Sequence, residues 1–174
     1  MLRRTLVTCL LLPLLALANP PELPDWTLQG EATMRFFGLK IYDTRLWVRD
    51  QKIDAQNWAR SPLALELEYA RSLSGREIAK RSLGEMRRQG EISPANANKW
   101  LAEMEAAFPD VKQGERISGV IAEPGAIQFF INGKPGRKVA DAEFARLFVG
   151  IWLAPQTSEP GLRSQLLDGA GGKR

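Results

Sequence analysis

Four side chains carry most of the polar chemistry this sequence offers: Tyr42, Tyr69, Arg35 and Arg45. The two phenols are the chain's only tyrosines, and all four residues fall in stretches that alternate like strands. A tyrosine on a strand presents a polar tip at the rim of an apolar space. An arginine within a strand needs an anionic partner or an exit to water. Together, an arginine and a tyrosine beside an apolar cavity suit a carboxylate or phenolate on a greasy molecule. The plainer reading makes them edge or rim residues with surface partners. As ligand-binding candidates they are Tyr42, Arg35, Arg45 and Tyr69.

Most other chemistry is excluded by residue type. Histidine is absent, which removes the commonest general base, the serine–histidine triad and the commonest metal ligand. The single cysteine, Cys9, lies in an apolar N-terminal run and follows Val7-Thr8 rather than the small residues of a lipoprotein site. Gly133-Lys134-Pro135-Gly136 sits in a hairpin instead of opening a helix, so it is not a phosphate loop. Glu66 and Glu68 share the solvent face of a strand, Arg87-Arg88 is a solvated helix end, and Met86 and Met104 are packing atoms rather than ligands. No motif calls for a cofactor or a metal.

The first 18 residues read as a secretory signal peptide: Arg3-Arg4, an uncharged run from Thr5 to Leu15, and Ala16-Leu17-Ala18 as an A-x-A site cleaved before Asn19. The run is too short to span a bilayer comfortably and contains Pro13. Retention as an anchor is the alternative to cleavage. Cleavage predicts a periplasmic or secreted protein without cysteine, hence without disulfides, and without a stable membrane span. It also removes two arginines and no acids, leaving 24 − 2 = 22 basic residues against 20 acidic, or +2. No long basic run or interleaved aromatic platform is present for nucleic acid.

The elements that must position the four residues follow in order. Residues 19–26, with three prolines, predict an extended arm. Strands are expected at 27–37 and 39–48, with Gly38 at the bend, and after a polar loop at 63–71. There Leu63, Leu65, Leu67 and Tyr69 point one way and Ala64, Glu66, Glu68 and Ala70 toward water. Ser74-Gly75-Arg76-Glu77 reads as a capping box opening a helix over about 75–89, with Ile78, Leu83 and Met86 inward and its arginines and lysines outward. Ser93-Pro94 opens a second helix with Trp100, Leu101, Met104, Ala107 and Phe108 as its stripe. A meander follows: 116–122, 127–131, the Asn132-Gly133 hairpin, and a third arm ending at Lys138-Val139. Asp141 then caps a strongly apolar helix through Phe144, Leu147, Phe148, Ile151 and Trp152, stopped by Pro155. Ser158 caps a shorter one with Leu162, Leu166 and Leu167, and a flexible tail runs over 169–174. Segregated strands and helices imply an α+β fold, an antiparallel sheet with helices against one face.

These stretches resemble the chalcone isomerase-like family. The similarity lies in GLKIYDTRLWV (38–48), SLSG (72–75), FPDVKQGE (108–115), FINGK (130–134), FVGIWL (148–153) and TSEPGLR (157–163). It covers about 27–168 and is greatest with the exported bacterial branch. The resemblance implies an open-faced β-sandwich: a long curved antiparallel sheet covered by helices, with a cleft between. Plant members cyclise chalcones to flavanones, while others bind fatty acids without chemistry. In the enzymes an arginine, a threonine, a tyrosine and an asparagine serve the substrate, and they fall here on Gly30, Tyr42, Ile78 and Glu85. None is retained, and Arg35 is out of register with that arginine. Losing one group aimed at developing charge costs about 3–4 kcal/mol in the transition state, so losing the set argues against flavanone formation. The fatty-acid reading is weakened too, because the same arginine binds the carboxylate.

Three functions are therefore expected in descending order. The first is a periplasmic, non-catalytic protein binding a small apolar or amphipathic, fatty-acid-like ligand in the cleft. The second is an intramolecular lyase or isomerase with a rearranged site. The third is an envelope accessory protein that binds another protein.

Overall fold

A computed structural model describes residues 19–169. The leader-like run with its Ala16-Leu17-Ala18 site, and the tail after Gly169, lie outside the described residues.

Six strands form one meander: β1 (Thr27–Phe36), β2 (Leu39–Val48), β3 (Leu63–Tyr69), β4 (Arg116–Ile121), β5 (Ile127–Ile131) and β6 (Lys134–Val139). They lie side by side in chain order, every pair antiparallel. The helices α1 (Gly75–Met86), α2 (Pro94–Ala107), α3 (Ala142–Leu153) and α4 (Pro160–Asp168) complete an α+β architecture. A short 3-10 turn, Arg87–Gln89, ends the segment expected as one continuous helix.

The main core joins the inward residues of the strands, among them Leu46, Leu65, Ile117 and Phe129, to the apolar stripes of the helices. Phe144, Leu147, Phe148, Ile151 and Trp152 of α3 are all buried, as their spacing predicts. Asp141 caps this helix by accepting from the Phe144 N–H at 3.0 Å. Ala154 is extended before Pro155, which ends the helix.

Two expected caps differ. Ser74 makes no side-chain cap bond; Asp110 Oδ1 instead accepts from the Gly75 N–H at 2.9 Å. The chain at Leu73 pairs with Val111, and a Cβ at Gly75 would lie 2.1 Å from the Phe108 carbonyl oxygen. The SLSG and FPDV segments therefore lock together, and the Asp110 carboxylate serves the first free N–H of α1. The cap of α4 is Glu159 with Pro160 at the first turn, while Thr157 Oγ1 accepts from the Glu159 N–H at 3.2 Å. Ser158 is thus one residue early.

The outer face of the sheet is drier than β3's alternation implies. Residues 19–26 turn twice and fold onto it rather than extending away. Leu23, fully buried, and Trp26 pack with Trp47, Ala64 and Val120 in a second apolar cluster. Beside this cover Glu66 is only 1% exposed, so it is not a solvated acid. It accepts from Arg45 Nη1 at 2.7 Å and from Arg116 Nη1 at 2.9 Å. A buried carboxylate requires such partners.

Candidate functional site

The inner face opens at the β1–β2 hairpin end of the sheet into a cavity of about 340 Å³. Its floor comes from the sheet: Met34 and Phe36 of β1, Ile41 and Tyr42 of β2, Leu65, Leu67 and Tyr69 of β3, Gly119 of β4 and Phe129 of β5. Its roof comes from Ile78, Arg81, Ser82 and Glu85 of α1 and from Phe148, Ile151 and Trp152 of α3. Gly119 keeps the middle open: a Cβ there would stand 3.0 Å from Ile127 and 3.6 Å from the Phe148 ring. Phe129 and Phe148 meet edge to face at 5.1 Å and close the far wall.

Two phenols are the polar groups of the sheet floor. The Tyr42 phenol oxygen accepts from the Trp152 indole N–H at 3.1 Å, which leaves its own O–H free to donate. Burial raises the Tyr42 phenol to about 12, against a smaller opposing effect of the Trp152 hydrogen bond. Tyr69 stands edge to face with Tyr42 at 6.0 Å and is 3% exposed. Burial raises its phenol as well, and Tyr42 adds to the shift. Both are neutral phenols at physiological pH. The Tyr69 hydroxyl has no side-chain hydrogen-bond partner among the described residues; its ring is buried and the oxygen opens onto the apolar cavity.

Charge enters from Glu77, Arg81 and Glu85 of α1 and from Glu159 at the cap of α4. Arg81 Nη2 lies 2.9 Å from Glu85 Oε1, an i,i+4 pair on the turn above the cavity. Ile78, Arg81, Ser82 and Glu85 recur at the spacing of one helical face, which points at the cavity and not all to solvent. Arg81 remains largely exposed and so stands at the mouth. The apolar stripe of α1 obscures this second, mixed face in the sequence; the Arg81–Glu85 spacing is the signal that marks it.

Of the four sequence candidates, the structure brings Tyr42 and Tyr69 together in the cavity. Arg35 and Arg45 are not among its lining residues. Arg35 is exposed on β1, where its guanidinium reaches only the Gly38 carbonyl at 3.4 Å. Arg45 is bound on the outer face by Glu66 and, at 3.0 Å, by Glu68. Parity turns Arg45, three residues from the inward Tyr42, to the outer face, and at Arg35 the register slips by one residue, with Ile41 left between the Met34–Tyr42 and Arg35–Lys40 pairs.

Of the four positions at which the resemblance placed enzyme residues, Tyr42, Ile78 and Glu85 line the cavity. Gly30 does not, because α4 lies directly on it. A Cβ at Gly30 would be 2.4 Å from the Leu166 carbonyl oxygen and 2.6 Å from that of Gln165. Among the described residues no cluster of metal-ligating side chains occurs, and no helix is long and apolar enough to cross a membrane.

The chain is 33% identical over 106 residues to an uncharacterized protein of Haemophilus influenzae, which covers 61% of this chain and 52% of that one. It thus spans about half the length of this curated relative. Its fold is similar to the crystal structure of an Arabidopsis thaliana fatty-acid binding protein, with a TM-score of 0.61 and 12% identity over 83% of this chain and 87% of the other. Residues 22–168, from the buried turn before β1 to the end of α4, match the family described as chalcone isomerase-like, and the chain belongs to that family.

Proposed function

We propose that this is a periplasmic, non-catalytic ligand-binding protein that holds a small amphipathic molecule of fatty-acid type in the sheet–helix cavity. One observation carries the reading: a cavity of about 340 Å³ walled by apolar side chains contains a free Tyr42 O–H and an unpartnered Tyr69 phenol. That volume lies at the lower end of small-molecule sites, about 300–1,000 Å³. Two neutral phenols lining the same space can donate to a carboxylate, ester or phenol oxygen there. An acyl or aryl body would fill the space between Leu67, Phe129, Phe148 and Ile151. The similarity in fold to a fatty-acid binding protein supports a ligand of this class. The N-terminal run with its A-x-A site supports export.

The same geometry disfavours the isomerase reading. A phenol raised to about 12 is a hydrogen-bond donor and a poor base at neutral pH. The closure of Gly30 by α4 removes the place from which an arginine would meet developing negative charge.

Native mass spectrometry of protein purified gently from its own periplasm tests the proposal. A co-purified lipid-like mass that leaves on mild activation is expected. A clean apo mass, together with no change in tryptophan fluorescence on titration with long-chain fatty acids, would refute it. Loss of a chalcone absorbance band on mixing with the protein, abolished by Tyr42→Phe, would establish the isomerase reading in its place.

A further inference from the structure

The β1–β2 hairpin turns through Phe37 and Gly38, both in the left-handed region at φ 47° and φ 79°. A two-residue turn of this kind favours asparagine or glycine at its first position. A phenylalanine there is strained, and it contributes nothing to the core: Phe37 is 89% exposed, flanked by Phe36 at 51% and Leu39 at 54%. These are the exposed large hydrophobic residues of the described chain, and they sit on one loop tip. The contact of Phe37 with Phe36, edge to face at 4.5 Å, stays within the tip.

Cations stand directly behind the tip. Arg35 and Lys40 are cross-strand partners. Tyr42 pairs with Tyr69, and the Ala70 N–H donates to the Ile41 carbonyl at 2.9 Å. Exposed Arg71 follows directly after Ala70 at that end of the ladder. Asp43, the nearest carboxylate on β2, is held by Lys40 at 2.5 Å and by the Thr33 hydroxyl at 2.6 Å. Aromatic residues ahead of a row of cations match the layering of a phospholipid interface, with acyl carbon beneath anionic headgroups.

We propose that the β1–β2 hairpin tip docks on an anionic lipid bilayer. Phe36, Phe37 and Leu39 enter the interface, and Arg35, Lys40 and Arg71 lie over the lipid phosphates. Because Phe36 also lines the cavity, docking sets the cavity mouth against the membrane. The docking depends on the tip alone and holds whether or not the cavity takes a fatty acid.

An environment-sensitive fluorophore on Leu39→Cys, in the full chain carrying Cys9→Ser, tests this, with a label on Lys138→Cys of the far edge strand as control. With vesicles of equal parts phosphatidylcholine and phosphatidylglycerol, the label at 39 should shift to the blue and that at 138 should not. Pure phosphatidylcholine or high salt should weaken the response. Phe37→Asn keeps a residue suited to the turn and should lower the apparent vesicle affinity about tenfold. The proposal is overturned by no shift at 39 or by equal shifts at both positions. It is also overturned by unchanged affinity in Phe37→Asn, by a shift with monomeric fatty acid but none with vesicles, or by tip-dependent dimerisation in place of vesicle binding.

Discussion

The Trp152 indole on α3 donates to the Tyr42 phenol on β2 at 3.1 Å, joining helix layer to sheet across the cavity. This bond fixes the direction of Tyr42's remaining O–H and makes the cavity's polarity a property of two distant segments. Tyr42→Phe leaves the indole N–H without an acceptor. Loss of one such bond corresponds to about 1 kcal/mol of stability. The same change should weaken binding of a long-chain fatty acid about five- to tenfold. Denaturant melts and fluorescence titration measure the two effects, and unchanged affinity would remove Tyr42 from the site.

Tyr69 makes the opposite prediction. Its ring is buried, and its hydroxyl opens onto the cavity without a protein hydrogen-bond partner, so Tyr69→Phe loses no protein bond. Without ligand, the variant should be about as stable as the parent. Ligand affinity should nevertheless fall. A variant that is less stable and binds equally well would assign Tyr69 to structure alone.

Much of the fold was legible because local patterns and global packing agree. The α3 stripe, the Asn132-Gly133 turn and the Asp141 cap each follow from residue type and spacing. The site was only half legible. Alternation places Tyr42 and Tyr69 on strands, but it does not say which face is covered, and Arg45 and Glu66 depend on that choice. The outer face is dry because Leu23 and Trp26 fold back onto it, a long-range contact with no local signature. Arg81 was hidden for a similar reason: a helix that buries Ala79, Leu83 and Met86 against its neighbours can still turn a polar face to a cavity.

Gly30 separates fold from chemistry. A Cβ there would meet the Leu166 carbonyl at 2.4 Å, so Gly30→Ala must displace α4 from β1. Overpacking of this kind costs about 1–3 kcal/mol. Amide exchange in α4 should rise with the loss, while exchange in β3 and β4 stays slow. Gly30→Arg, which restores the enzyme residue implied by the resemblance, should release α4 further and gain no isomerase activity. A stable, well-folded Gly30→Arg protein would show that α4 yields easily and that the position is open.

The outer-face ion pairs should affect stability and leave the cavity alone. Glu66 is held between Arg45 at 2.7 Å and Arg116 at 2.9 Å. Glu66→Ala takes the carboxylate from Arg116 and leaves Arg45 with Glu68 at 3.0 Å, and losing these charge-assisted hydrogen bonds costs about 1–3 kcal/mol. Fatty-acid affinity of the folded protein should remain unchanged, because Glu66 and Arg45 lie on the face away from the cavity. A joint loss of stability and affinity would place the network in contact with the site.

Acid sensitivity should centre on Asp141. Burial pushes its carboxyl upward, but hydrogen bonds from Lys99 at 2.7 Å, the Phe144 N–H and the Trp100 indole at 3.0 Å outweigh it and hold the group at about 2. The unfolded chain's aspartate titrates near about 3.9. A folded value below the unfolded one means the stabilisation is fully present above about 3.9 and is lost as pH falls toward about 2. Solvent screening at this partly exposed site limits its size to about 1 kcal/mol. Asp141→Asn keeps an oxygen for the Phe144 N–H cap but cannot titrate. Urea melts between pH 6 and pH 2 should therefore show the parent losing that increment relative to Asp141→Asn. Parallel curves would mean that Lys99 and Trp100 do not stabilise the ionised carboxylate.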